Sequence, residues 1–145
     1  EVETEAAASP PERLQRHIHH LIREFSDQGR VGQLNRLYLM ELLHPTGLID
    51  DTWDELVEPR RRKLLAIVRD LLGKDADDET VRFCEMSVIN QCRIFLTVSR
   101  PALTTLVGQP LTPEVIERMA AHITRFSLAG IRGLSGAPPS GLEGE

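Results

Sequence analysis

Apolar residues recur at helical spacing along most of the chain, and no alternating run of apolar and polar residues has the length of a β-strand. The first helix is predicted from the Ser9-Pro10 cap to just before Gly29. Further helices are predicted over 32–44, over 50–73, between the acidic segment 75–78 and Pro101, over 102–107, and over 112–133. The pattern therefore predicts an all-α bundle of about five to six helices.

Pro59 lies inside the third predicted helix. Proline removes a backbone donor and clashes with the preceding helical turn, so it bends or divides a helix. We therefore expect either a kink or two helices that meet near Val57 and Glu58.

The fourth predicted helix is apolar on nearly its whole circumference, with one broad arc through Val88 and a second through Phe83 and Met86. Such a helix is either central in the bundle or part of a subunit interface. The last helix carries another wide apolar stripe, which favours a homodimeric interface built from four helices. The residues predicted for this interface are Val88, Cys92, Phe95, Met119, Ile123, Phe126 and Gly130.

The length of 145 residues is typical of one domain, and we predict this domain over residues 10–134. We expect a partly disordered connecting segment at 1–9 and a disordered tail at 135–145. A net charge of -5 does not favour binding to nucleic acid by this piece alone. No apolar run approaches the roughly 20 residues of a bilayer helix, so we expect a cytoplasmic protein. Cys84 and Cys92 are eight residues apart in one helical pattern, too far for a disulfide, and are interpreted as reduced core residues.

Other residue clusters with possible chemistry have simpler interpretations. The basic run 60–63 points in four directions on a helix and has acidic neighbours, which argues against a DNA surface. His17 and His20 have a spacing that can chelate a metal, but without further ligands nearby a solvated face is preferred. A metal sensor that uses His17, His20 or Cys84 is an alternative. His122 borders the apolar stripe of the last helix, as a core or interface histidine does. Known catalytic and phosphate-binding motifs are missing, so neither an enzyme nor a cofactor is predicted.

Two long segments carry a family resemblance. RFCEMSVINQCRIF at 82–95 and LTPEVIERMAAHITRFSLAGIRGL at 111–134 resemble the C-terminal domain of TetR-family transcription regulators of the CecR (YbiH) branch. The upstream LYLMELLHPTGLIDD is similar to an R-E-L-x-x-P-T segment of that branch, and the likeness covers about residues 12–134. Asn90 stands where the family usually has glycine, and Leu39 and Met40 make the second helix more apolar than usual.

The resemblance implies a homodimer with a cavity that binds a small hydrophobic or amphipathic effector and thereby releases a repressor from DNA. DNA contact would be made by a helix-turn-helix head, and comparison with such regulators leads us to expect that this head is not part of the given sequence. Polar or aromatic residues that interrupt buried faces are the candidate ligand contacts. They are Tyr38, His44, Trp53, Arg61, Asn90 and Gln91.

Several of these candidates also have structural interpretations. Trp53 fits a plain core residue, and Asn90 and Gln91 fit side chains that satisfy buried backbone groups or each other across the dimer. For the whole chain, the competing hypothesis is a helical interaction or scaffold module without a ligand pocket.

Overall fold

The first helix, α1, runs from Pro10 to Ser26, and the side chain of Glu12 caps its start. The Glu12 carboxylate accepts hydrogen bonds from the Ser9 backbone N–H at 2.8 Å and from the Ser9 hydroxyl at 2.9 Å. The structure is a computed structural model that describes residues 8–136, apart from the side chains of Thr52 and Trp53. The connecting segment and tail predicted at 1–9 and 135–145 thus fall almost entirely outside the described residues.

The rest of the described chain is also helical, and no strand occurs within residues 8–136. The prediction of an all-α fold is confirmed. The further elements are α2 (Arg30–Leu43), α3 (Asp50–Thr52), a π-helical turn (Trp53–Val57), α4 (Glu58–Leu72), α5 (Asp78–Cys92), α6 (Ile94–Thr97), α7 (Arg100–Val107) and α8 (Pro113–Leu134).

The π-helical turn lies directly before α4, whose second residue is Pro59. A wider turn accommodates a position where proline withholds its backbone donor. The predicted change of helix near Val57 and Glu58 is confirmed.

The core is built around α1, which packs against α2, α4, α5 and α8. Its inward side chains are almost completely buried, with Leu14 and Ile18 at 0% exposure. Burial of each such side chain contributes roughly 1.5–3 kcal/mol of transfer free energy. The most central helix is therefore the first one, which the sequence pattern did not single out from the others.

Helix α5 buries one face rather than two. Val81, Val88 and Cys92 are buried, whereas Phe83 and Met86 on the other arc are 58% and 52% exposed. The helix also ends at Cys92, earlier than predicted, because Arg93 starts a tighter turn in which its carbonyl accepts from Leu96 N–H at 2.8 Å. The prediction of one helix reaching to Pro101 is wrong.

Helix α2 is held against the body mainly at its first turn. Gly32 is its only buried residue, and the Gly32 N–H donates to the Asp27 carboxylate at 3.0 Å. A Cβ at position 32 would lie 1.7 Å from the Asp27 carbonyl oxygen, so only glycine fits this approach. Beyond this contact α2 leaves Leu34 and Leu37 more than half exposed, along the side where a cavity opens.

Candidate functional site

A cavity of about 470 Å³ lies between α1, α2, the π-helical turn, α4 and α5. This volume is within the range of about 300–1,000 Å³ that small-molecule sites occupy. Most of the lining is apolar, with a few charged and polar side chains. The apolar side chains include Leu21, Phe25, Val31, Leu34, Leu37, Ile49, Leu56, Val57, Leu64, Met86, Ile89 and Leu96.

The basic run at the start of α4 is paired with carboxylates. Arg60 Nη1 lies 2.7 Å from Glu24 Oε2, at the cavity wall. Arg61 Nη1 and Arg62 Nε lie 3.8 Å and 3.1 Å from the Glu58 carboxylate. These contacts support the interpretation that the run does not form a basic patch for nucleic acid.

Glu85 brings a buried carboxyl group to the same cavity, with 7% of its surface exposed. Arg61 Nε lies 3.7 Å from its Oε1, and Arg93 acts on it as a second positive charge. Burial nevertheless outweighs both arginines and raises the pKa of Glu85 above its ordinary value. The group is thus a buried acid whose charge is only partly compensated.

Two further polar side chains line the cavity, one from α2 and one from the junction of α5 and α6. Arg93, at the junction of α5 and α6, donates from Nη1 to Asn90 Oδ1 at 3.2 Å. Tyr38 lines the cavity from α2, and burial raises the pKa of its hydroxyl against the influence of Arg93 and Arg60. Arg60, Arg93 and Tyr38 line one cavity and can therefore contact a single bound molecule.

The structure brings together part of the predicted ligand set. Tyr38, Arg61 and Asn90 line the cavity. His44 does not line it, because it caps the C-terminal end of α2 and is exposed. Gln91 turns towards α8, where its amide donates to the Ser127 hydroxyl at 3.2 Å. The side chain of Trp53 lies outside the described residues.

Glu85, Arg60 and Arg93 also line the cavity, although they were not among the predicted ligand contacts. A signal for Glu85 existed, because it lies four residues after Val81 and falls on the buried arc of α5. A charged residue on a buried helical face requires a partner or a function. For Arg93 no comparable signal was present, since its direction depends on the turn between α5 and α6.

A second cavity, of about 530 Å³, lies between the end of α5, the short helices α6 and α7, and α8. We call it the α5–α8 groove. Asn90, Gln91 and Met119 line it, and so does His122, whose ring stacks near that of Phe126 at a centroid distance of 6.2 Å. Phe126 itself is 63% exposed, which leaves a large apolar side chain at this surface.

Four residues predicted for the dimer interface are instead core residues. Val88, Cys92, Phe95 and Ile123 are buried by the chain itself, so their apolar character needs no partner. Burial also raises the pKa of the Cys92 thiol to about 12. The other three behave differently: Met119 is half-buried in the groove, and Phe126 and Gly130 are exposed on α8.

Neither a metal site nor a membrane helix is found in the described part of the chain. Within residues 8–136 no three His, Cys, Asp or Glu side chains come together to hold an ion. His17 and Cys84 are buried, whereas the side chain of His20 is 62% exposed and lies 3.4 Å from Glu24. None of the described helices is long and apolar enough to cross a membrane.

Comparison with known families gives one match. Residues 10–131 match the family model described as the C-terminal domain of the HTH-type transcriptional dual regulator CecR. Among curated proteins and among solved structures, none matches the chain. The matched span contains every lining residue of both cavities, so the family assignment applies to the part of the chain that forms them.

Proposed function

The chain belongs to the family of CecR C-terminal domains, and on that premise we propose that it is the effector-binding and dimerisation domain of a cytoplasmic TetR-type repressor. The observation that carries the proposal is the cavity of about 470 Å³, which combines a mainly apolar lining with a few converging polar groups. That combination is typical of sites for small hydrophobic or amphipathic molecules.

The α5–α8 groove provides a reason why binding in the cavity would affect the pairing of two copies of the chain. Helix α5 forms a wall of both spaces, and Asn90 lines both of them. A molecule in the cavity therefore contacts the helix whose other side faces the groove. Such an effector regulates only if it binds two arrangements of the assembly with different affinities.

A second copy of the chain is the proposed occupant of the groove. Phe126 and Gly130 are exposed on α8, next to the half-buried Met119. A two-fold pairing would place the same apolar surface of each copy against the other and remove it from water. In a repressor this pairing would set the distance between the two DNA-binding heads.

Uptake of the neutral dye N-phenylnaphthylamine tests the cavity, since its fluorescence rises in apolar surroundings. We expect saturable uptake by the chain and its loss in Leu37→Trp, because Leu37 lines the cavity and is exposed enough for the larger ring to enter without disturbing the core. Leu48→Trp is the matched control, since Leu48 is 86% exposed and lines neither space.

Two results would count against effector binding. One is the absence of saturable dye uptake by the unmodified chain. The other is equal uptake by Leu37→Trp and the unmodified chain, which would place the dye elsewhere. Either would favour the alternative of a helical interaction or scaffold module, in which the apolar surfaces bind protein partners only.

A further inference from the structure

The cavity walls carry more cationic than anionic side chains. Arg60, Arg61 and Arg93 line them, together with Glu24 and Glu85. Arg60 is paired with Glu24 at 2.7 Å, and Arg61 lies 3.7 Å from Glu85. Two of the three guanidinium groups therefore have a carboxylate partner within the cavity.

The third guanidinium group of the cavity belongs to Arg93. Across the described residues it has no carboxylate within 4.0 Å, and its hydrogen bond goes to a neutral acceptor, Asn90 Oδ1, at 3.2 Å. Glu85 is not a close carboxylate partner of Arg93, because it lies against Arg61 and acts on Arg93 from a greater distance. The cavity thus contains a positive charge that the chain leaves only partly compensated.

The surroundings of Arg93 suit an amphipathic molecule. Asn90 lies one helical turn before Arg93, and its Oδ1 accepts a hydrogen bond from one guanidinium nitrogen. This bond fixes the direction of the guanidinium group. Tyr38 lines the same cavity from α2 as a further polar side chain. Leu34 and Leu37, on the same helix, supply an apolar surface beside these polar groups.

Building on the proposed function, we propose that the effector is an amphipathic carboxylate, whose anionic group binds Arg93 and whose apolar body packs against the leucines of α2. A guanidinium group can donate two parallel hydrogen bonds to a carboxylate, an arrangement that a neutral or cationic head group does not reproduce. Asn90 is then a positioning residue for Arg93.

Three probes with the same alkyl chain separate the contribution of the head group from that of the apolar body. We propose calorimetric titration of the chain with decanoate, decanol and decylamine, each below its micelle concentration. Decanoate is expected to bind about tenfold more tightly than decanol, because charge-assisted hydrogen bonds to Arg93 are stronger than neutral ones by about the free energy that corresponds to a tenfold change in affinity. Decylamine is expected to bind most weakly, because it would meet Arg93 with a like charge.

Arg93 variants assign the preference to this residue. Arg93→Met should bind decanoate and decanol equally, while Arg93→Lys should keep part of the preference because it retains the charge without the paired donors. Arg82→Met is the matched control, since Arg82 is exposed on α5, which ends just before Arg93, and does not line the cavity. It should leave all three affinities unchanged.

The outcomes distinguish this inference from the proposed function. Three results would overturn the carboxylate inference and leave the cavity as an effector site. Decanol could bind as tightly as decanoate, decylamine could bind best, or none of the three probes could bind while N-phenylnaphthylamine still enters. An equal loss of preference in Arg82→Met and Arg93→Met would overturn the assignment to Arg93. Failure of dye uptake itself would count against the proposed function.

Discussion

Replacement of Phe126 by glutamate tests the proposed pairing of two copies through the α5–α8 groove. Phe126 lies on α8 next to the groove and is 63% exposed, so the chain's own core does not depend on it. The substitution would place a charge at the surface that the second copy is proposed to cover. We expect Phe126→Glu to dissociate the pair while the fold of each copy is kept.

The size of the effect follows from the exposed area. A phenylalanine side chain carries about 200 Å² of surface, so the exposed part of Phe126 is about 130 Å². At roughly 25 cal/mol per Å², covering it contributes about 3 kcal/mol in each copy and about 6 kcal/mol in a two-fold pair. If the partner covers half of this surface, the loss is about 3 kcal/mol, or roughly a hundredfold in the dissociation constant.

Sedimentation velocity over a range of micromolar concentrations measures this change directly. The unmodified chain should sediment as a dimer, and Phe126→Glu should sediment as a monomer under the same conditions. Leu48→Glu is the matched control, because Leu48 is 86% exposed and lies in the turn between α2 and α3, away from the groove. Circular dichroism should show the same helical content in all three proteins.

The reasoning is wrong if the unmodified chain is a monomer at these concentrations, or if Phe126→Glu and the unmodified chain have the same dissociation constant. Equal dissociation by Leu48→Glu would indicate a pairing surface elsewhere on the chain.

Two further predictions concern stability. Gly32→Ala should lower the free energy of unfolding by about 1–3 kcal/mol in urea denaturation, because the added Cβ overlaps the Asp27 carbonyl. Gly133→Ala is the control and should not destabilise the chain, since nothing lies within 4 Å of the added carbon. Equal effects of the two substitutions would refute the steric argument. Glu85 has a pKa above 4.5 in the folded chain, so its contribution to stability is complete at low pH and is lost as the pH rises through the folded pKa. The stability of Glu85→Gln relative to the unmodified chain should therefore increase as the pH rises above 4.5. Parallel pH profiles of the urea midpoint for the two proteins would contradict this.

Local features of the sequence were sufficient to predict most element boundaries. The last helix begins after Thr112, whose hydroxyl accepts from Val115 N–H at 3.3 Å, and α5 begins after Asp77, which accepts from Thr80 N–H at 2.8 Å. Caps of this kind act over three or four residues, so they can be recognised without knowledge of the fold. The one large error, the length of α5, arose at Arg93, where no glycine or proline marks the turn.

The candidate site was predicted less completely than the fold. Tyr38, Arg61 and Asn90 were found because a polar or aromatic residue interrupted an apolar stretch. Arg93 and Glu85 were not, because their importance depends on which charges on other helices lie beside them. Such pairings join residues distant along the chain, and helical periodicity contains no information about them.

Local patterns along the chain were enough to identify an all-α member of its family, since periodicity, caps and two long motifs are properties of contiguous segments. Which apolar faces are covered depends instead on how the helices pack against one another. Periodicity identifies the apolar side of a helix but not the neighbour that packs on it, so Val88 and Phe126 looked alike although one is 1% and the other 63% exposed. The packing of α1 against α4, α5 and α8 separates the core from the groove, because burial depends on what surrounds a side chain in space.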